Sequence, residues 1–173
     1  LAYDAIKNLG RFFNNKKLSV QLKCRIFMTY VTSIFLYNCE LWTISEDGEA
    51  NIDGFHRKLL RTTVLNIKWP KKMSNEDVYI ITRQSKWSEI IKLRRVSWFG
   101  HLFRLPETTP ARQALSYALK PMSRTRGRPK LNWIRVITEQ LKNDFNLDFE
   151  AAIIATADKK SWSRMINSRY AKQ

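Results

Sequence analysis

Between Glu107 and Glu139 the chain has no acidic residue and seven basic ones, which surround the stretch SRTRGRPKLNW at positions 123–133. Guanidinium and ammonium groups at this density neutralise phosphates, and such contacts need no particular base sequence. The pattern therefore predicts a surface that binds the sugar–phosphate backbone of nucleic acid. Its members are Arg112, Lys120, Arg124, Arg126, Arg128, Lys130 and Arg135.

Within this window, Arg126-Gly127-Arg128-Pro129 has the pattern of an AT-hook. Glycine allows the backbone to approach the floor of the minor groove, and proline holds the chain extended. The flanking arginines then reach the narrow groove of A·T-rich DNA, where the potential is most negative. The same side chains also suit the phosphates of any duplex or single strand. A third alternative is a solvated basic linker whose Pro129 starts a helix. We predict contact with a polyanion.

A second basic stretch, KLRRVSWFGHLFR at 92–104, interleaves cations with aromatic rings. Cations beside aromatic rings bind single strands by phosphate contact together with base stacking. Trp98 and Phe99 also fit the apolar stripe of a core helix, and we predict that both are core. We expect His101 to be a packed, hydrogen-bonded residue. The arginines and lysine are predicted to contact nucleic acid in part: Lys92, Arg94, Arg95 and Arg104.

Residues that could catalyse a reaction or bind a metal are scattered. The cysteines and histidines show no close ligand spacing, so no metal site is expected. Acidic residues concentrate at predicted helix starts, where they complement the helix dipole. Glycine-rich phosphate loops, nucleophile elbows and zincin motifs do not occur. The sequence predicts no catalytic residue and no cofactor. The competing hypothesis is a metal-dependent nuclease that uses Asp144, Asp148 or Asp158.

The formal net charge is +16, from 31 basic and 15 acidic residues. Residues 1–83 contribute +5 and residues 84–173 contribute +11. Such a charge raises affinity for polyanions, of which nucleic acid is the commonest and an anionic membrane surface the next. Two cysteines, no visible signal peptide and no apolar stretch of bilayer length favour an intracellular protein. The start at Leu1 without methionine suggests a fragment of a longer chain.

Apolar residues recur with a spacing near 3.6 along almost the whole chain, and no convincing stretch alternates with period two. The predicted fold class is all-α. A helical bundle is expected at residues 1–83, followed by a smaller basic helical domain at residues 84–173. Helices are predicted to begin near Asp4, Ser19, Ser45 or Asp47, Ser74, Ser85, Thr109-Pro110, Pro129, Asp148 and Asp158.

Five blocks carry a family resemblance by their sequence and their order. They are KCRIFMTYVTSIFLYNCELWTI (23–44), FHRKLLRTTVLNIKW (55–69), RRVSWFGHLFRLP (94–106), GRPKLNWIRVITEQL (127–141) and ADKKSWSRMI (157–166). Together they resemble the carboxy-terminal part of non-LTR retrotransposon reverse transcriptases, of the endonuclease-reverse-transcriptase type found in the RTE and related clades. The resemblance covers nearly the whole chain. One departure is Asn38, where the family usually has glycine.

The resemblance implies a thumb-like bundle at residues 1–83, a terminal domain after it, and catalytic aspartates in an upstream palm that this chain lacks. The chain would grip template–primer, element RNA or target DNA during target-primed reverse transcription. Its implied partners are nucleic acid and the palm and fingers of the parent polyprotein, with no membrane and no small-molecule substrate. A cytoplasmic ribonucleoprotein and the nucleus would be its locations. Two alternatives are a helical scaffolding or oligomerisation domain, and a domesticated DNA-binding protein with an AT-hook-like segment.

Overall fold

The structure, a computed structural model, describes residues 2–68, 70–120 and 132–170. Regular structure in these residues is helical throughout, with no strand, which confirms the predicted all-α class. The α-helices are α1 (Ala2–Asn8), α2 (Gly10–Phe13), α3 (Val20–Ile26), α4 (Ser33–Phe35), α5 (Glu46–Leu59), α6 (Asn75–Thr82), α7 (Trp87–Arg104), α8 (Pro110–Ala118), α9 (Trp133–Phe145), α10 (Phe149–Ala155) and α11 (Lys159–Tyr170). Two π-helical segments cover Phe27–Thr32 and Leu60–Val64, and a 3-10 turn covers Cys39–Leu41.

Several helices begin where a short polar side chain accepts a backbone N–H group of the first turn. The hydroxyl groups of Ser19 and Ser74 accept the amides three residues further on, at 3.3 and 3.0 Å. Asp148 caps α10 in the same way, at 2.7 Å, and Asp158 caps α11 by accepting the amide of Lys160, two residues further on, at 2.9 Å. The first amides of a helix have no partner within it, so such a cap stabilises the start by about 1 kcal/mol. These four predicted starts are confirmed.

Helix α9 begins later than the predicted start at Pro129, a residue that lies outside the described ones. Asn132 has an extended backbone, with φ −123° and ψ 163°, and its side chain accepts the amide of Arg135 at 2.8 Å. The helix therefore starts at Trp133, and the predicted start at Pro129 was wrong. The asparagine side chain accepts a hydrogen bond from an amide of the first turn. A proline at a helix start has no amide hydrogen and so only removes one group that would need a partner.

The described residues form two compact units. Residues 2–38 and 46–90 make up the first unit, and residues 39–45 and 91–170 make up the second. The division between these units lies inside α7, between Ile90 and Ile91. The predicted domain boundary near residue 84 stays a prediction. Residues 39–45 lie within the first half of the sequence and yet belong to the second unit, because hydrogen bonds described below attach them there.

The core of the first unit is an aromatic stack around the buried indole of Trp87. The ring of Phe35 and the imidazole of His56 each lie 4.3 Å from it, centroid to centroid, and Phe27 follows at 6.2 Å. Burial is the main cause that lowers the pKa of His56 to about 3, and the charge of Arg57 acts in the same direction. The imidazole is therefore neutral at physiological pH.

The second unit has a core in which Trp162 of α11 lies directly against Gly100 of α7. A Cβ atom at position 100 would come within 2.2 Å of the Trp162 Nε1 atom, so only glycine fits the present arrangement. The same Nε1 group donates a hydrogen bond to the carbonyl of Val96 at 3.3 Å. The buried residues of this core are Val96, Phe99, Ile137, Leu141, Ala152, Trp162 and Ile166.

Candidate nucleic-acid interface

The predicted cationic window is the stretch between Glu107 and Glu139 that has no acidic residue. The structure describes its two ends, which lie in and just after α8 and in the first part of α9. Its middle part, with the AT-hook-like segment, lies outside the described residues, and its contact with nucleic acid stays a prediction. The members concerned are Arg124, Arg126, Arg128 and Lys130. The remaining members of the window are Arg112, Lys120 and Arg135, and the structure places all three in the second unit.

Arg112 of α8 is held against an aromatic ring. Its guanidinium carbon lies 4.2 Å from the centroid of the Phe103 ring, which is a cation–π contact. The Nε and Nη1 atoms of Arg112 are buried and have no hydrogen-bond partner among the described residues. The cation is therefore positioned by stacking on Phe103, without a carboxylate of the described chain to neutralise it.

Lys120 and Arg135 flank the undescribed part of the window, and both side chains are exposed. The ammonium of Lys120 lies 4.3 Å from the ring centroid of Tyr117, itself an exposed residue. The Nε atom of Arg135 lies 2.8 Å from Oε1 of Glu139, one helical turn further along α9. An exposed pair of this kind contributes at most about 1 kcal/mol, so a phosphate can compete for the arginine.

Arg95 is buried, with 1% of its surface exposed, and the prediction that it contacts nucleic acid was wrong. Its Nη1 group donates to Oε1 of Gln140 at 3.0 Å, and its Nη2 group donates to the carbonyl of Trp42 at 3.0 Å. The amide nitrogen of Gln140 in turn donates to the carbonyl of Lys92 and to the hydroxyl oxygen of Tyr170. Arg95 is thus part of a polar network inside the second unit, because a buried charge is stable only where hydrogen bonds replace water.

The other three predicted cations of α7 are half-buried and keep part of their side chains at the surface. Arg94 donates from Nη1 towards the Sγ atom of Cys39 at 3.8 Å, and Arg104 donates from Nη1 to the carbonyl of Thr156 at 2.9 Å. Lys92 contributes its carbonyl to the polar network around Gln140. These positions are compatible with the partial contact that the sequence predicts.

Hydrogen bonds in the second unit join residues 39–45 of the first sequence block to the blocks 94–106 and 127–141. The indole nitrogen of Trp133 donates to the carbonyl of Glu40 at 2.8 Å, while Arg94 and Arg95 reach Cys39 and Trp42. Residues 39–45 are therefore attached to α7 and α9 through their backbone carbonyls and one thiol. The residue just before them is Asn38, whose φ of 58° is left-handed. Glycine adopts that conformation freely, and asparagine tolerates it. Asn38 can therefore form this turn, although the family that the sequence resembles usually has glycine at this position.

Trp98 is the functional candidate that the sequence reasoning missed. Phe99 is fully buried, as predicted, whereas Trp98 is half-buried and His101 is exposed, so the prediction that both are packed was wrong. The two rings lie 5.2 Å apart, tilted by 34°. They line an open surface pocket of about 440 Å³ in the second unit. The other residues that line it are Glu40, Leu93, Arg94 and Ser97.

The carboxylates of the competing nuclease hypothesis have structural partners. Asp148 and Asp158 cap α10 and α11, and the hydrogen bond from the Ser161 hydroxyl is the main cause that lowers the pKa of Asp158. Asp144 accepts hydrogen bonds from Arg169 and from the hydroxyl of Tyr170. Burial raises the pKa of that phenol, which therefore remains a protonated donor. These contacts explain the three carboxylates as parts of the fold.

In the part of the chain that the structure describes, no group of three or more cysteine, histidine, aspartate or glutamate side chains could hold a metal ion. No helix of these residues is both long enough and apolar enough to cross a bilayer. Both cysteines are buried free thiols, and burial raises the pKa of Cys24 to about 11. The Cys24 thiol is therefore protonated at neutral pH and a poor nucleophile.

No protein-family model matches the chain, and no curated protein or solved structure matches it either. The resemblance of the five blocks to non-LTR retrotransposon reverse transcriptases therefore rests on the sequence alone. Hydrogen bonds connect three of those blocks within the second unit. The residues involved are Cys39, Glu40, Trp42, Arg94, Arg95 and Trp133.

Proposed function

We propose that this chain is a non-catalytic nucleic-acid-binding part of a reverse transcriptase of the non-LTR retrotransposon type. In this role it grips template–primer, element RNA or target DNA while another part of the parent protein performs polymerisation. The observation that carries the proposal is the cationic window, with seven basic residues and no acidic residue between Glu107 and Glu139. The window lies in the half of the sequence that has a net charge of +11.

Two of the described side chains of the window support a phosphate-binding role. Lys120 lies over an exposed aromatic ring, and Arg135 has only an exposed ion pair. Aromatic rings hold a cation in place without cancelling its charge. Each phosphate that such cations neutralise releases counterions, so affinity is expected to fall steeply as salt rises.

The cellular setting follows from the resemblance and belongs to the same proposal. The first unit takes the place of the thumb after an upstream palm, and the second unit takes the place of the terminal domain. The partners would then be nucleic acid and the palm and fingers of the parent chain, in a cytoplasmic ribonucleoprotein and in the nucleus. The residues upstream of Leu1 would show whether a palm with paired aspartates precedes this chain.

Fluorescence anisotropy with labelled RNA, duplex DNA and RNA–DNA hybrid tests the proposal. We expect binding to all three at about 50 mM salt, and a loss of several orders of magnitude in affinity by about 200 mM if six or more phosphates are contacted. The triple substitution of Arg124, Arg126 and Arg128 by alanine should lower affinity for every sequence. It should also flatten the salt slope by about one unit for each lost phosphate contact.

The matched control removes the same charge from the first unit, by substituting Lys68, Lys71 and Lys72, which are all exposed. If both triple variants lose affinity equally, total charge explains binding and the window has no special role. Circular dichroism should show unchanged helix content in both variants. Binding that is insensitive to salt would contradict a phosphate-driven interface.

A second candidate function is a scaffold, favoured by exposed apolar side chains in the first unit. Tyr30 and Ile34 are 54% and 40% exposed along the continuous helical stretch of α3, the π-helical segment and α4, and Tyr37, just after α4, is 78% exposed. Large exposed apolar side chains of this kind are typical of protein contact surfaces. Light scattering separates the two candidates: an oligomer that persists at all salt concentrations and ignores nucleic acid favours the scaffold.

A further inference from the structure

The surface pocket around Trp98 combines an aromatic ring pair with a cation on one face of α7. Residues 94, 98 and 101 follow one another at intervals of four and three, so their side chains project from the same side of the helix. The structure agrees, because Arg94, Trp98 and His101 line one pocket. Its volume of about 440 Å³ lies within the range of about 300–1,000 Å³ that is typical of small-ligand sites.

Each part of this pocket matches one part of a nucleotide. The rings of Trp98 and His101, with centroids 5.2 Å apart and planes tilted by 34°, offer aromatic faces on which a base stacks. The guanidinium of Arg94 offers donors for a phosphate, and its contact with the Sγ atom of Cys39 orients it. The carboxylate of Glu40 repels a phosphate and accepts N–H groups, so it suits the base end of the ligand.

Trp98 projects from a part of α7 that is anchored in the core of the second unit. The neighbouring residues of α7, Val96 and Phe99, are fully buried in the core of the second unit, which fixes the direction in which Trp98 projects. A ring fixed in this way loses little conformational entropy on binding. Bases inside a duplex have both faces stacked already, so only an unpaired base can use the pocket.

We propose that this pocket binds one unpaired nucleotide of a nucleic-acid strand, with the base on Trp98 and His101 and a phosphate on Arg94. The inference rests on the proposed function, since the cationic window supplies most of the affinity for the strand. The pocket adds a preference for nucleic acid with an unpaired segment, such as an overhang, over a fully paired duplex.

The test compares a blunt hairpin with the same hairpin extended by a short single-stranded overhang, each as RNA and as DNA. The full chain should bind the overhang form about tenfold or more tightly, which is what stacking of one base contributes. Trp98→Leu should abolish this preference, whereas Trp98→Phe should retain most of it. Tyr37→Leu, which removes an exposed ring of the first unit, is the matched control and should retain all of it.

The outcomes separate the pocket from the proposed function. If the full chain binds neither hairpin, both proposals fail. If it binds both hairpins equally well, or if Trp98→Leu weakens both equally, the pocket proposal fails alone. The RNA and DNA forms show which strand chemistry is preferred, and equal preference for overhangs in both supports recognition of the base and phosphate only.

Photo-crosslinking gives a second measurement that does not depend on a core-proximal substitution. An oligonucleotide with a single 4-thiouridine in the overhang should crosslink to the peptide that contains Trp98 and His101. Arg94→Gln and His101→Ala should each lower the yield several-fold at a fixed oligonucleotide concentration. Crosslinks that map only to other helices would overturn the proposal.

Discussion

The contact between Gly100 and Trp162 predicts that a single methyl group destabilises the second unit. In Gly100→Ala, the new Cβ atom would lie 2.2, 2.6 and 2.9 Å from the Nε1, Cδ1 and Cε2 atoms of the indole. Carbon atoms in normal contact are about 3.5–4.0 Å apart, so the ring must move by more than about 1 Å. Trp162 is 3% exposed and packs on Phe99, which leaves it little room to move.

Opposing contributions decide the magnitude for Gly100→Ala. Alanine is a better helix former than glycine, which gains about 1 kcal/mol in the middle of α7. Overpacking in a well-filled core costs about 1–3 kcal/mol, and loss of the hydrogen bond from Trp162 to Val96 costs about another 1 kcal/mol. We therefore expect a net loss of about 1–3 kcal/mol in the free energy of unfolding.

A matched control is Gly54→Ala in α5, where the nearest atom to the new Cβ is the Arg57 Nη2 atom at 3.8 Å. That is an ordinary contact, so the control should gain about 0.5–1 kcal/mol from helix propensity alone. Urea unfolding followed by circular dichroism measures both changes, and hydrogen exchange with mass spectrometry assigns the loss to α7 and α11. In a Trp162→Leu background the effect of Gly100→Ala should reverse sign. A stabilising effect of Gly100→Ala in the unmodified chain would refute the close packing described here.

Two further predictions concern the first unit, at His56 and at Asn38. The imidazole of His56 has a pKa of about 3 in the folded chain and about 6.5 when unfolded, so below pH 6.5 only the unfolded chain gains the proton. The free energy of unfolding should therefore fall by about 1.4 kcal/mol per pH unit from pH 6.5 towards pH 3. Urea unfolding at each pH measures this slope. The slope should disappear in His56→Phe and persist in the control His101→Gln. At Asn38, with its φ of 58°, the substitution Asn38→Gly should be neutral or slightly stabilising, whereas Asn38→Val should lower the urea midpoint by an amount that corresponds to about 1–2 kcal/mol.

Local chemistry made some of the fold predictable from the sequence. Ser19, Ser74, Asp148 and Asp158 cap their helices because each satisfies a nearby backbone amide, and that is visible in a short stretch of sequence. Pro129 misled the prediction because a proline is compatible with a helix start without requiring one. Side-chain capping by Asn132 decided the start instead.

Long-range contacts made the candidate site harder to predict. Arg95 has the sequence context of a surface cation, and its hydrogen-bond partners Gln140 and Trp42 lie 45 and 53 positions away. The sequence around Arg95 does not predict either hydrogen-bond partner. Trp98 and Phe99 are adjacent on a helix and point about 100° apart, so only one of them could face the core fully. The spacing of Arg94, Trp98 and His101 was the available signal for the pocket.

The attachment of residues 39–45 to the second unit means that no single cut of the chain yields two intact pieces. A fragment that began at residue 91 would lack the carbonyl of Trp42 that Arg95 uses and the carbonyl of Glu40 that Trp133 uses. A buried guanidinium that loses its acceptor typically costs several kcal/mol. Deletion series would therefore have to keep residues 39–45 together with α7 and α9, although the bonded residues lie 53 and 93 positions apart along the chain.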